Sequence, residues 1–304
     1  MATEDSTSGQ VPSNPRDGGE AVGTLALGVA AESNLRWAAV DLGGVVEDAR
    51  ARHDLSPLSA VALGRAMAAA ALLQRFSSKA PERLIFEVRG DGPLGKVVTE
   101  VDSEGNLRGL VGEPRLPNPA SGSMSIGEAV GQGLLRVTRE SERGTYNSQV
   151  ALVSGEIGGD LVHFLEQSQQ IRSAALLGVL PRASGITAAG GVLIEAFPGV
   201  DDDVVTHLEG NIGALGGGIS DLLESGGIPT LLDTVFRGFD RQELERYPLL
   251  HRCRCRPETL RESLRQVPDD ELRTIADERG NCVAVCAFCS TQYRFSLDEL
   301  TMVS

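Results

Sequence analysis

The sequence reads Cys253-Arg254-Cys255 near its C-terminal end and, thirty residues further on, Cys286-Ala287-Phe288-Cys289. All five cysteines of the 304-residue chain lie between positions 253 and 289. Packing needs do not explain this clustering, because the apolar segments before position 253 contain no cysteine. Two close cysteine pairs on separate turns can supply four thiolates to one tetrahedral Zn²⁺ ion. The spacing therefore predicts one zinc site with four ligands: Cys253, Cys255, Cys286 and Cys289.

The two pairs differ in what they indicate. The second pair, with two residues between its cysteines, is the usual knuckle of a structural zinc site. The first pair has a single residue between its cysteines and is less usual there. A disulfide across it would close a small, strained ring, and strained disulfides are easily reduced and tend to be regulatory. The spacing leaves open whether the zinc site is a permanent structural site or a redox switch.

The residues around the cysteines predict a small metal-dependent domain. Prolines suited to the first helical position favour short helices over residues 257–265 and 269–279. A hairpin over residues 283–293 would turn at the second cysteine pair, and Ser296 with Glu299 matches a capping box for a last helix. So few large apolar groups cannot form a core alone. Loss of the metal is therefore expected to unfold this region.

The cysteine motifs and the trailing Tyr293-Arg294-Phe295 resemble those of the redox-regulated chaperone family, the 33-kDa heat-shock proteins. The resemblance covers nearly all of the chain after the first twenty or so residues. It implies that the four cysteines hold Zn²⁺ in the reduced protein. Oxidation would form the disulfides Cys253–Cys255 and Cys286–Cys289 and release the metal. The zinc domain and the adjoining linker would then unfold, and the chain would hold unfolding client proteins without ATP, with a homodimer as a further implied state.

Three positions depart from the family pattern. Gln169 stands where the family has an acid, so a role that needs a charge there is in doubt. Arg256 follows the first cysteine pair in place of a common serine. Cys282 is a fifth cysteine at a position expected to be a strand hydrophobe. We expect it to be buried, and the alternative is a competing ligand or disulfide partner. His251 could also replace a ligand, although four thiolates need no help.

Composition restricts the partners. The net charge is −14, from 42 acidic against 28 basic residues, which opposes binding to nucleic-acid phosphates. No apolar run reaches the ~20 residues of a membrane helix. Clustered cysteines with metal spacing fit a reducing compartment better than a secreted disulfide framework. We therefore expect a cytoplasmic protein that binds neither nucleic acid nor membrane.

The order of the predicted elements indicates an α+β fold. Ser56 caps a strong alanine-rich helix from Pro57 to about Phe76. Strands are predicted over residues 21–31, 37–42, 84–89, 96–101, 107–111, 134–139, 146–153, 174–180 and 186–197, with helices over 47–53 and 159–167. We divide the chain into four parts: a disordered tail (1–20), an α+β chaperone core (21–199), an acidic helical linker (200–251) and the four-cysteine zinc redox-switch domain (252–304).

The predicted linker is acidic and amphipathic. Residues 200–250 contain ten acidic residues against three arginines. Glycines inside the helical pattern each cost roughly 0.5–1 kcal/mol against alanine, so the helix needs a docking surface. An ordinary pair of connecting helices explains the pattern equally well, and the resemblance favours a switch. The apolar residues of the switch linker have helical spacing: Val204, Leu208, Ile212, Leu215, Ile219, Leu222 and Leu223.

Other functions remain as alternatives. One is a constitutive structural zinc-ribbon protein that acts as an interaction adaptor. Another is a thiol oxidoreductase, but its Cys-x-x-Cys pair usually begins a helix, whereas Cys286 is predicted in a hairpin. Residues 252–304 carry eight arginines, no lysine and nine acids, so this region has no basic excess for nucleic acid. Ser168 lies near His163 without a nucleophile elbow, and no ATP site is visible. We therefore expect no enzymatic activity.

Overall fold

The structure is a computed structural model that describes residues 22–76, 82–117, 124–215 and 218–301. The predicted disordered tail, residues 1–20, lies outside these ranges. The fold is α+β, as predicted, with a large sheet, helices on both of its faces and a small C-terminal hairpin domain. The elements agree in type with the prediction except in the last part of the predicted linker, where a strand replaces a helix, and at the short helix Ile126–Val130, which was not predicted. One short helix also ends earlier than predicted.

Among the described residues, one sheet contains ten strands: β1 (Val22–Ala30), β2 (Leu35–Asp41), β3 (Arg83–Gly90), β4 (Lys96–Asp102), β5 (Asn106–Val111), β6 (Gly133–Ser141), β7 (Gly144–Ala151), β8 (Ser173–Arg182), β9 (Gly185–Ala196) and β10 (Gln242–His251). Their order in the sheet is β7-β6-β3-β4-β5-β10-β1-β2-β9-β8. All neighbours are antiparallel except β10 and β5, which are parallel.

Helices connect these strands, and a second hairpin follows them. A short 3₁₀ turn, Ala31–Ser33, joins β1 to β2. The helices are α1 (Gly43–His53), α2 (Pro57–Phe76), α3 (Ile126–Val130), α4 (Gly158–Gln169), α5 (Asp202–Gly213), α6 (Ile219–Val235), α7 (Pro257–Leu264), α8 (Asp269–Ile275) and α9 (Leu297–Thr301). The antiparallel hairpin of the C-terminal domain is β11 (Asn281–Val285) and β12 (Gln292–Ser296).

Helix α2 forms the centre of the main core. Its alanine-rich sequence favours the helix, and its small side chains let it lie close against the sheet. Ser56 Oγ accepts the backbone N–H of Ser59 at 3.3 Å, as the predicted cap requires. By length and composition α2 is the one helix of the described ranges able to cross a membrane, but 83% of its apolar window is buried inside this fold. It therefore packs here as a core helix.

Helices α5 and α6 cover part of the opposite face of the sheet. They bury a second apolar cluster that includes Trp37 of β2 and Val192 and Ile194 of β9. Helix α6 is kinked at Gly226 and Gly227, whose backbone angles are not helical; φ of Gly227 is +66°. The helix pair is thus attached to the sheet along one side and interrupted by glycines.

The prediction of a helical linker up to residue 251 is wrong for Gln242–His251, which forms strand β10. Its register with β1 runs from Val22 opposite Leu250 to Val29 opposite Gln242. Toward the end of this strand, Leu249 and His251 are buried. The acidic composition of this segment masked its short alternation of apolar and polar residues in the sequence. The hydrogen bonds that stabilise the strand come from β1, more than 200 residues earlier in the chain. The helical part of the predicted linker ends at Val235.

Helix α8 also ends earlier than predicted, at Ile275 rather than near Arg279. The Asp277 carboxylate accepts the backbone N–H groups of Arg279 and Asn281, both at 2.9 Å. Gly280 follows with φ of +73°. Aspartate side chains that bond to nearby backbone N–H groups favour turns over helix. This turn starts β11 and thereby places the hairpin.

The packing of β1 on Trp37 can be tested with Gly28→Ala. A Cβ at position 28 would lie 2.1 Å from Trp37 Cζ2 and 2.2 Å from the Gln242 carbonyl oxygen. Overpacking of this kind lowers the free energy of unfolding by about 1–3 kcal/mol or more. Urea unfolding followed by the fluorescence of the single tryptophan measures the change. The control is Gly44→Ala on α1, where the nearest atom is 3.9 Å away; equal stability of both variants would contradict the described packing.

Candidate metal centre

Two segments bring the four cysteines together. Residues 252–256 follow β10 without regular secondary structure, and the Arg252 N–H donates to the Leu107 carbonyl at 3.2 Å. The second pair lies in the turn between β11 and β12. The Ser290 N–H donates to the Cys286 carbonyl at 2.8 Å, and Ser290 has φ of +58°. This tight turn directs both of its cysteine side chains toward the first segment.

The sulfur atoms form one compact group. All four lie within 4.8 Å of one another. Cys253 Sγ is 3.7 Å from Cys286 Sγ, and Cys255 Sγ is 3.5 Å from Cys289 Sγ. Four Zn–S bonds of about 2.3 Å in tetrahedral geometry separate their sulfurs by about 3.8 Å. The four cysteines are thus positioned to hold a metal ion, and their softness and spacing fit zinc.

The electrostatics of the group favour a cation. The hydrogen bond from Cys289 lowers the pKa of Cys253 to about 4, and Arg108 contributes in the same direction. The same hydrogen bond and burial raise the pKa of Cys289, and burial raises the pKa of Cys255. Cys253 therefore carries a negative charge readily, and this charge opposes ionisation of the neighbouring thiols. A divalent cation would compensate the charge of further thiolates, as metal binding at thiol sites generally does.

The large domain contributes directly to this site. Arg108 of β5 donates from Nη1 to Cys253 Sγ at 3.4 Å. The same guanidinium pairs with Glu100 of β4 at 2.7 Å and lies 4.1 Å above the ring of Phe288. Arg254, between the first two cysteines, also pairs with Glu100, at 2.9 Å. The cysteine domain is therefore attached to the sheet by a charged network beside the sulfurs.

Two histidines also contact this region. The ring of His53 donates from Nε2 to the Phe288 carbonyl at 3.0 Å and accepts from Ser290 Oγ at Nδ1, at 3.2 Å. Burial lowers the pKa of His53, and the neutral ring has the one donor and one acceptor that these contacts need. His251 Nδ1 lies 2.5 Å from the Asp48 carboxylate, so it is not part of the sulfur group. Sequence reasoning missed the contacts of Arg108 and His53 because no local pattern marks them.

The remaining sequence-predicted residues lie away from the sulfurs. Cys282 is fully buried, as predicted, in a small apolar cluster with Leu272, Phe295 and Leu300. Its Sγ donates to the Leu272 carbonyl at 3.5 Å. The seven predicted switch residues all belong to the cluster under α5 and α6. Three of them are buried: Leu208, Ile219 and Leu223. The other four are partly buried: Val204, Ile212, Leu215 and Leu222.

Tyr293 is a further neighbour of the sulfur group, on β12. Its hydroxyl lies 3.1 Å from Cys255 Sγ. Burial raises the pKa of Tyr293, so its hydroxyl keeps the proton that it can donate to a thiolate. Arg108, from the large sheet, thus donates to Cys253, and Tyr293, from the C-terminal hairpin, can donate to Cys255.

The chain is thus an α+β protein with a large sheet and a small hairpin domain whose four cysteines are positioned to hold a metal ion. Comparisons with known proteins identify the family. The Hsp33 protein family matches residues 24–296. The 33 kDa chaperonin of Thermus thermophilus is 41% identical over 293 residues, covering 92% of this chain and 86% of that protein. The 33 kDa chaperonin of a Picosynechococcus species is 37% identical, with coverages of 91% and 95%.

A solved structure agrees with these relatives. The crystal structure of the 33 kDa chaperonin from Thermotoga maritima superposes with a TM-score of 0.82 at 33% identity. The match covers 91% of this chain and 96% of that one. This chain therefore belongs to the Hsp33 family of chaperones.

The ligand set can be tested by comparing two single substitutions. Cys289→Ser replaces a sulfur of the compact group, and we expect it to lower zinc affinity strongly because one of the four thiolates is lost. Cys282→Ala removes the buried fifth sulfur, and we expect it to keep one bound ion per chain. Metal content, thiol titration and competition with a chelator measure both. Weak zinc binding by Cys282→Ala, or unchanged binding by Cys289→Ser, would contradict this assignment.

Proposed function

We propose that this chain is a redox-regulated, ATP-independent holdase that is zinc-bound and inactive when reduced. Oxidation of Cys253, Cys255, Cys286 and Cys289 activates it. In the active state it binds unfolded or partly folded client proteins and keeps them from aggregating. We further propose that residues 21–199 with β10 form the chaperone core, that α5 and α6 form the switch linker and that residues 252–304 form the redox switch.

The observation that supports this proposal best is the sulfur group itself. Its members lie within 4.8 Å of one another, yet they come from two separate segments, the one that follows β10 and the turn between β11 and β12. Zinc, when bound, would join these segments and neutralise their thiolates. The apolar cluster of this domain has only four buried residues among those described, so a metal held by the four cysteines would be its main cross-link. The proposed disulfides Cys253–Cys255 and Cys286–Cys289 each lie within one segment, and they would leave the two segments unconnected.

The path from the cysteines to the linker runs through β10. This strand ends at His251, two residues before Cys253, and begins seven residues after α6 ends. Its first half is exposed, and it pairs with β5 only at Leu250 and His251. We propose that release of the cysteine domain loosens this end of β10 and then the α5–α6 pair. Release would uncover the apolar cluster around Trp37, and exposed apolar patches of this kind bind unfolded chains.

Helix α5 is the weakest part of the proposed linker. Leu208 is its single buried residue, and a cavity of about 120 Å³ lies between it and the sheet. Asn211 of α5 donates to the carbonyls of Val235, at the end of α6, and of Arg237, just after it. The ring of His207 stacks on the ring of Phe239, with 4.7 Å between the ring centroids. Few buried contacts imply a low free energy of local opening.

The proposed function is tested by treating zinc-loaded protein with peroxide under mild heat. We expect loss of the ion, formation of two disulfides within the near pairs, and suppression of the aggregation of a heat-unfolded client at stoichiometric amounts. Light scattering, zinc release and mass-spectrometric mapping of disulfides measure the three effects. Equal suppression before and after oxidation would contradict the switch and favour a constitutive zinc-ribbon adaptor. Insulin reduction by the same sample would favour an oxidoreductase.

The role of α5 is tested with Gly210→Ala. Open space surrounds the Cβ at this position. Alanine stabilises a helix interior by roughly 0.5–1 kcal/mol over glycine, so we expect about two- to fivefold less undocked linker. Client protection after a fixed exposure to peroxide should fall, with disulfide formation unchanged. Gly44→Ala on α1 is the matched control, and equal activation of both variants and the parent chain would exclude α5 from the switch.

A further inference from the structure

The large sheet ends in β7, and this edge of the sheet is open. Six of the eight residues of β7 are exposed. At the opposite edge, nine of the ten residues of β8 are buried or partly buried. β7 pairs with β6 on one side, and in the described part of the chain no strand lies on its other side. Every second residue of β7 therefore directs its backbone N–H and C=O groups away from the sheet.

The hydrogen bonds beside the ladder show which residues of β7 face outward. Just beyond the end of β7, the Leu152 N–H donates to the Gly133 carbonyl of β6 at 2.9 Å. In an antiparallel pair, residues that bond to the neighbouring strand alternate with residues that do not. The even-numbered residues of β7 therefore bond to β6. The backbone groups that face outward in the exposed part of the strand belong to Thr145, Asn147 and Gln149.

β7 lacks the features that usually protect an exposed edge strand. Charged side chains, proline and β-bulges keep such edges from pairing with other chains. The stretch from Gly144 to Gly155 contains no charged residue and no proline. The register between β6 and β7 has no shift, whereas β8 has Pro181 with a register shift beside it. The β7 edge is thus left able to accept a further strand.

The side chains of β7 also suit an added strand. Val150 packs against the main core, so Tyr146 shares its face of the strand, and 60% of the Tyr146 surface is exposed. The opposite face has exposed polar side chains, those of Thr145, Asn147 and Gln149. A strand beside β7 would place apolar residues next to the Tyr146 ring and polar residues on the opposite face.

We propose that the outer edge of β7, from Gly144 to Gln149, binds an extended, uncharged segment of an unfolded client as an added strand. The identity of this partner rests on the proposed holdase function. Alternating outward N–H and C=O groups are matched by the backbone of an extended chain, so the edge fits polypeptide rather than a small ligand. Because backbone groups make the contact, one edge can accept segments of many sequences.

This contact is weak by itself and does not depend on the cysteines. Only three outward-facing residues contribute hydrogen bonds, and each bond adds little net free energy. In the oxidised protein, the apolar cluster around Trp37 would give the same client a second contact. Two linked contacts bind far more tightly than either alone. The edge therefore makes the first contact, and the redox switch decides whether the client is retained.

The proposal is tested on reduced, zinc-loaded protein with a peptide of alternating threonine and valine, flanked by lysines for solubility. We expect the peptide to slow hydrogen exchange of the Thr145, Asn147 and Gln149 amides, because these would donate to it. The amides of Tyr146 and Ser148 already donate to β6, so they should exchange slowly without the peptide. Residue-resolved NMR measures both sets. A copy of the peptide with N-methyl groups on adjacent residues is blocked on both of its edges and should slow none of them.

Two substitutions at position 149 test the same edge. Gln149→Pro removes an outward N–H at a position where edge strands tolerate proline, and we expect about tenfold weaker binding of the peptide. Gln149→Lys adds a protective charge to the edge and should also weaken binding. Gln167→Lys, at an exposed position of α4, is the matched control and should keep the parental affinity. Urea unfolding followed by Trp37 fluorescence shows whether each variant is folded.

Several outcomes would overturn the proposal. Equal protection by the two peptides would do so, and so would parental affinity of the folded Gln149 variants. Slowing of the outward amides that grows with protein concentration, without peptide, would assign the edge to a second copy of this chain instead. After oxidation, client protection by Gln149→Lys should fall below that of Gln167→Lys, and equal protection would exclude clients as the partner. If the oxidised parent chain protects no client, the proposed function fails, while the amides of the reduced protein still decide whether β7 accepts a strand.

Discussion

The convergence of four sulfur atoms from two separate segments is the constraint on which the C-terminal domain depends. Helices α7, α8 and α9 are short, and the hairpin has five residues in each strand. Its cluster of buried residues is small, and one of them is the fifth cysteine. Such a core is too small to offset the conformational entropy of some fifty ordered residues. A metal that binds four thiolates adds free energy of the size that small zinc domains require, about 10–16 kcal/mol in finger peptides.

The domain is nevertheless not an independent appendage. Its first cysteine segment continues a strand of the large sheet, and its knuckle lies against the end of α1 through His53. Arg108 and Glu100 place a charged pair from the sheet beside the sulfurs. Buried charged side chains need partners of opposite charge. Here Arg254, beside the cysteines, pairs with Glu100 of the large sheet across the boundary between the domains. The segment that carries the first two cysteines continues β10, the strand that follows α6 in the chain. A change at the cysteines would therefore act on contacts of the large sheet.

The sequence predicted the local features well and the distant contacts poorly. Cysteine spacing indicated the four sulfurs that lie within 4.8 Å of one another. The alanine run indicated α2, and the Ser296–Glu299 capping box is present with the Ser296 N–H donating to Glu299 at 2.8 Å. Strand β10 was predicted as helical linker because its partner β1 lies at the other end of the chain. Arg108 and Cys253 are 145 residues apart, and His53 and Phe288 are 235 apart. Contacts at these separations depend on the folded topology, which periodicity and spacing do not encode.

The central claim is that the sulfur group keeps the C-terminal domain folded and the linker docked. The most direct test is hydrogen exchange, followed by mass spectrometry, on fully reduced protein before and after removal of its metal with a chelator. The account predicts that protection falls first in residues 252–301, then in α5 and α6, while α2 and the strands around it stay protected. Unchanged protection of residues 252–301 in the metal-free protein would contradict the account.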